Sequence, residues 1–162
     1  MQLFCLIRRL RHVKIISKGC FSMAYETKKV GVIFLIKQDD RVLFVKRENT
    51  GKCDGYYMLP GGHVDEGETV MQACIRELKE ELDITVLPTD LIFRLAEPTK
   101  THIHLFFEVL KYQGEIKNNE PHKHGSVDFL SLDNPEIYPS VVEEVKTMLS
   151  GNNFIENAQL PF

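Results

Sequence analysis

Three glutamates, Glu77, Glu80 and Glu81, fall within five positions of the stretch "LPGGHVDEGETVMQACIRELKEELDI" (59–84). On a helix, carboxylates at i, i+3 and i+4 stand side by side and repel one another by roughly 0.2–0.5 kcal/mol per pair, an amount that Arg76 and Lys79 can offset. A solvated helix face is the ordinary reading of such a patch. A divalent cation is the chemical one. Mg²⁺ prefers carboxylate oxygens and keeps water or substrate phosphate in its remaining positions, so clustered acids beside an open, glycine-rich loop suit it.

The helix that carries these acids is well marked. Thr69 with Gln72 three residues later forms a capping box, which starts the helix at or just after Thr69. Met71, Ile75, Leu78 and Leu82 follow the i, i+4, i+7, i+11 spacing of a buried stripe. At 3.6 residues per turn the three glutamates project about 140° away from that stripe. The expectation is an acidic patch that the core does not contain.

Gly62, five residues, Glu68, seven residues, and then Arg76-Glu77-Leu78-Lys79-Glu80-Glu81-Leu82-Asp83-Ile84 resembles the Nudix box. The one departure is Asp83, where that pattern has glycine. The resemblance implies an α/β/α sandwich with a mixed β-sheet. It implies a hydrolase that uses Mg²⁺ or Mn²⁺ on a nucleoside diphosphate linked to another group. Glu77, Glu80 and Glu81 then look like the metal-binding acids, with the backbone carbonyl of Gly61 as a further ligand. Glu68 and Arg76 are similar to the family's supporting pair, which orients the acids. A glycine at position 83 would end the helix in a left-handed turn, so Asp83 bears on the helix exit more than on the chemistry.

Beyond the box the chain resembles bacterial MutT-type nucleoside triphosphate pyrophosphatases. "HIHLFFEVLKYQGE" (102–115) is similar to the strand that lines their nucleotide pocket, and Glu120 falls where they carry a further metal-binding acid. "EPHKHGSVDFL" looks like their "EPEK" loop, without the tryptophan often found there; the chain has no Trp. Arg47 is a candidate for phosphate, and Phe34, Leu59 and Phe107, with Tyr56 and Tyr57, for base recognition. His102 with His104, and His122 with His124, share i, i+2 spacing, for which a transition-metal site is the minor reading. Pro98 lies near a proline of some ADP-ribose-cleaving relatives. The leading function is hydrolysis of a (deoxy)nucleoside triphosphate to monophosphate and pyrophosphate, serving nucleotide-pool sanitation. An ADP-ribose or dinucleoside polyphosphate pyrophosphatase is the alternative within the enzyme class, and a noncatalytic nucleotide sensor the alternative outside it. The full acid set Glu68, Glu77, Glu80 and Glu81 favours catalysis.

The elements around the box read as alternating β and α. "KVGVIFLIK" (29–37) and "RVLFVKR" (41–47) predict a hairpin, 101–110 and 125–132 predict strands, and 139–150 predicts a helix with Val141, Val142, Val145 and Leu149 inward. Strands with two helices argue for a sheet covered on its faces. A chain of 162 residues makes one domain, read as 23–152, with a C-terminal tail at 153–162. Residues 1–22 hold five basic residues and no acid, and fit a dispensable extension, a real terminal segment or, less well, an import signal. The net charge of −3 therefore leaves an acidic body, unsuited to nucleic acid. Cys5, Cys20, Cys53 and Cys74 lack metal or disulfide spacing, and no apolar run approaches the roughly 20 residues of a membrane span. These features predict a cytoplasmic protein with no membrane or nucleic-acid partner, and the resemblance implies a small nucleotide substrate. Monomer and homodimer both remain open.

Overall fold

The computed structural model describes residues 27–152 and, ahead of them, the backbone of two short strands. These are β1 (Lys14–Ile16) and β2 (Cys20–Ser22), antiparallel with Ile15 opposite Phe21. The remainder of the basic segment 1–22, residues 23–26 where the sequence puts the start of the domain, and the tail 153–162 lie outside the described residues.

The sheet is organised by β3 (Lys29–Gln38). Its β-branched and aromatic run is apolar on both sides: Val32, Phe34 and Ile36 enter one core, and Leu35, with Ile33 at the margin, enters another. A strand buried on both faces needs a layer over each. The helix α1 (Val70–Leu82) covers the first face and α2 (Pro139–Leu149) the second. The result is the α/β/α sandwich that the sequence implies.

A turn with Asp39 in the left-handed region returns the chain as β4 (Arg41–Arg47). The predicted hairpin parts early, since Lys37 and Gln38 pair with Val42 and Arg41 and the two strands then take other partners. β4 runs antiparallel to β5 (Tyr57–Met58) and to β9 (His124–Leu130). β3 pairs antiparallel with β6 (Gly61–His63) and parallel with β8 (His102–Val109), which makes the sheet mixed. β7 (Leu91–Pro98) lies antiparallel against β8 and ends at Pro98.

The capping box at the start of α1 is formed: Gln72 N–H donates to Thr69 Oγ1 (3.3 Å) and Thr69 N–H to Gln72 Oε1 (2.9 Å). The buried stripe is turned from the one expected. Ala73, Cys74, Leu78 and Leu82 are buried, while Met71 and Ile75 pack at the margin. Small residues at 73 and 74 let the helix lie close to the sheet, and the longer side chains flank that contact. At the helix exit Asp83 takes φ 58° and ψ 24°, the left-handed cap that a glycine would supply. The conformation costs a non-glycine residue roughly 1 kcal/mol. Lys79 (2.5 Å) and Lys117 (3.7 Å) hold its carboxylate there. In α2, Pro139 occupies the first turn and Val141, Val145 and Met148 are buried. Leu149, expected inside, is 52% exposed, because the i+7 position from Val141 is Met148. Among the described residues, no helix is long and apolar enough to cross a membrane, and Cys53 and Cys74 are free thiols.

Candidate active site

The three box glutamates have three different environments. Glu80 is exposed, Glu77 is half-buried and Glu81 is only 6% exposed. This corrects the expected solvent-facing patch. The sequence reading counts the sheet alone as cover for α1, whereas residues 117–124 wrap the far side of the helix. Lys117 and Asn119 N–H groups donate to the carbonyls of Leu82 and Glu81 (both 3.0 Å), and Asn119 Nδ2 donates to Glu80 O (2.9 Å). These bonds satisfy carbonyls that the end of a helix leaves unpaired, and they lay the segment over Glu81.

Glu81 Oε2 accepts the Gly61 N–H at 2.8 Å. Burial pushes the Glu81 carboxyl up to about 8, with the Gly61 bond opposing the rise and the charges of Glu77 and Glu120 adding to it. Burial also raises Glu77, against the pull of Arg76. The two glycines make room for this arrangement. A side chain at Gly62 would overlap the Glu77 carboxylate, and one at Gly61 would strike the β3 backbone at Val32 and Ile33.

Arg76 ties the acids together. Its Nε and Nη2 donate to the two oxygens of Glu68 (3.0 and 2.9 Å), and Nη2 also donates to His63 O (2.8 Å). Its Nη1 donates to Glu77 Oε1 (2.8 Å) and Glu80 Oε2 (3.1 Å). The two-point bond to Arg76 holds Glu68 below the usual carboxylate range, and Glu68 in turn raises the guanidinium pKa. Arg76 thus joins Glu68 to both Glu77 and Glu80.

Opposite Glu81 stand Glu120 and His124. His124 N–H donates to Glu120 O (3.0 Å), so one turn of chain brings both side chains to the same side. Glu120 Oε1 is 2.6 Å from Lys123 Nζ. One ligand atom from each of Glu81, Glu120 and His124 lies within 4.8 Å of the other two. Two carboxylates and an imidazole at that spacing fit a divalent cation. Burial also lowers the His124 pKa, which favours the neutral, ligating imidazole. The sequence reading leaves His124 out of the site and pairs it with His122, which is exposed. The signal lies in Glu120-x-x-x-His124, the spacing of one helical turn. The His102 ring lies beside those of His104 and His63, with centroids 5.6 and 5.5 Å away, and His104 Nδ1 meets Glu97 at 3.2 Å.

A cavity of about 520 Å³ opens beside these groups, with Gly61, Gly62, Glu77, Glu81 and His124 in its wall. Arg47, as expected at the end of β4, and Lys123 add two cationic side chains to it. Arg47 Nε is fixed by Thr50 Oγ1 (3.2 Å) and Lys52 O (3.0 Å). Acids that hold a cation and bases that face an anion together suit a phosphorylated substrate. Phe34, Leu59 and Phe107 take no part in this wall. They are buried at inward positions of the two cores, because the same apolar strand pattern that marks a pocket lining also builds the sandwich. Tyr57 is buried with its hydroxyl on Asp128 (2.9 Å) and Ser126 (3.1 Å), whereas Tyr56 is exposed and packs edge-on to Tyr138.

A family model for the NUDIX domain matches residues 26–148. The chain is 32% identical over 109 residues to a protein of Methanocaldococcus jannaschii named ADP-ribose pyrophosphatase, a match that covers 65% of this chain and 63% of that one. It is 35% identical over 100 residues to the 8-oxo-dGTP diphosphatase of Haemophilus influenzae, covering 60% and 74%. Among solved structures, a MutT NUDIX hydrolase from Burkholderia pseudomallei superposes with a TM-score of 0.65 at 25% identity, covering 78% of this chain and 98% of that one.

Proposed function

The chain belongs to the NUDIX family, and from that membership we propose that it is a Mg²⁺- or Mn²⁺-dependent hydrolase. Its substrate is a (deoxy)nucleoside triphosphate, cleaved to the monophosphate and pyrophosphate, and its role is clearance of damaged nucleotides in the cytoplasm. The observation that carries this reading is that Glu77 and Glu81 line one cavity with Arg47 and Lys123, with Glu120 close to Glu81 and His124. A divalent cation bound there would neutralise phosphate oxygens and lower the pKa of a bound water.

The chain's own groups do the rest. Glu77, Glu80, Glu81, Glu120 and the Gly61 carbonyl supply the ligands for the ion. Arg47 and Lys123 grip the phosphates, and a carboxylate oxygen of these glutamates that the ion leaves free accepts the proton of the attacking water. Arg76, held by Glu68, fixes the carboxylates before substrate arrives, so little reorganisation remains for the transition state. The relative from M. jannaschii supports a second reading, in which ADP-ribose is the substrate.

A release screen separates the two. Purified protein with Mg²⁺ is assayed on common and oxidised (d)NTPs, ADP-ribose and dinucleoside polyphosphates, with Glu81→Gln as control. Pyrophosphate from a triphosphate, absent in the variant, is the expected result. Turnover of ADP-ribose alone would replace the substrate assignment and keep the metal chemistry. Nucleotide binding without any turnover would overturn the enzyme reading.

A further inference from the structure

The ligands named above for the ion leave out the imidazole of His124, yet it is 3% exposed and stands at the acids. Its Nε2 lies 3.7 Å from Glu81 Oε1, too far for a hydrogen bond. Its Nδ1 is buried without any hydrogen-bond partner, as is the Oδ1 of Asn118, whose Nδ2 donates to His124 O at 2.7 Å. A buried ring nitrogen left without a partner costs on the order of 1–3 kcal/mol, and the other nitrogen of the ring faces Glu81 with no hydrogen bond. Glu81 matches this from the other side. Its Oε2 is taken by Gly61, and its Oε1 faces His124.

Two atoms coordinated to one ion at about 2.1 Å lie about 3 Å apart when adjacent and about 4 Å apart when opposite. A separation of 3.7 Å falls between those limits. Glu120 completes the set within 4.8 Å, and its bond to Lys123 leaves its second oxygen for the ion. We propose that His124 is itself a ligand of the divalent ion, and that this nitrogen donor makes the centre select a first-row transition-metal ion such as Mn²⁺ over Mg²⁺. Mg²⁺ is a hard ion that favours oxygen and keeps its water, whereas transition-metal ions accept imidazole. The inference rests on the metal-dependent reading above and adds the kind of ion. With Nε2 on the ion, Nδ1 carries the proton of the ring, the position from which a metal-bound histidine donates to an orienting acceptor.

The full chain loaded with Mn²⁺ is examined by electron spin-echo envelope modulation, with natural-abundance and with ¹⁵N-histidine protein. Isothermal titration of Mn²⁺ and Mg²⁺ into wild type and His124→Gln runs in parallel. The expected spectrum shows a directly coupled nitrogen that changes with ¹⁵N-histidine and vanishes in His124→Gln. Mn²⁺ should bind wild type at least about 10-fold more tightly than Mg²⁺. The substitution should weaken Mn²⁺ by about 10–100-fold and Mg²⁺ by less than about 3-fold. Mn²⁺ bound without histidine coupling would overturn the inference and leave the carboxylate centre standing. Failure of either ion to bind would overturn the centre and the inference together. Should His124→Gln not fold, the wild-type isotope comparison decides alone.

Discussion

Glu81 on α1 and Glu144 on α2 lie on opposite faces of one sheet, and burial pushes both carboxyls up, to about 8 and about 7. Their surroundings differ. Glu81 has Gly61 N–H on one oxygen, and Glu120, His124 and a cavity before the other. Glu144 has the charge of Glu97 raising it further, with Ser140 and His104 opposing, and it belongs to no three-donor cluster among the described residues. A perturbed carboxyl is therefore not by itself a site. Convergent donors and room for a ligand make one.

Removing each carboxylate is the harshest trial of that contrast. Glu81→Gln should lower kcat/KM by on the order of 10³-fold, the scale of losing a group that acts on transition-state charge. Glu144→Gln should stay within about 2-fold. Steady-state product release measures both, and equal losses would erase the distinction between the faces.

Metal binding gives the next largest difference. At a hundredfold excess over Kd, Mn²⁺ should stabilise wild type and Glu144→Gln by about 2.7 kcal/mol. In a thermal melt this is a rise of roughly 5–10 °C for a chain of this size. Glu81→Gln should show little of it. A full shift in that variant would place the ion elsewhere.

Arg76→Lys sharpens the picture on the α1 side. The ammonium cannot reproduce the two-point bond to Glu68 together with those to Glu77 and Glu80. A fall of about 10–100-fold in activity is expected, with metal affinity reduced in titration and the fold intact by circular dichroism.

The smallest effect belongs to α2. A carboxyl raised from 4.5 to about 7 on folding favours the fold fully below the unfolded value. That contribution is lost as pH rises through about 7. Metal-free wild type should thus lose on the order of 1–2 kcal/mol more than Glu144→Gln between pH 5 and 8, once solvent screening is allowed for. Denaturant midpoints in the presence of a chelator measure the difference. Parallel curves would show Glu144 to be solvated.

Much of this was legible from residues. Thr69 and Gln72 mark the start of α1 because capping is local, and the box spacing brings Glu68, Arg76 and Glu77 together because a loop and a helix of fixed length separate them. β7 was missed because Arg94 and Glu97 interrupt its apolar run, and Arg94 pairs across the sheet with Glu108. The burial of Glu81 was missed for a different reason. It depends on residues 117–124, distant in sequence, and a helical wheel sees one helix only. Phe34, Leu59 and Phe107 lie in the cores and not in the wall of this cavity, because apolar side chains inside a sandwich and beside a pocket carry the same pattern.

The parallel register of β3 with β8, from Lys29 against His102 to Ile36 against Val109, has a consequence for biosynthesis. A ribosome delivers the whole box before it delivers the strand that completes the middle of the sheet, and Glu120 and His124 come later still. Contacts between such distant segments form slowly, since a long loop must close before any pairing rewards it. A nascent chain halted before β8 therefore displays every box residue without Glu120 and His124, and the three-donor cluster is complete only when nearly the whole domain has emerged.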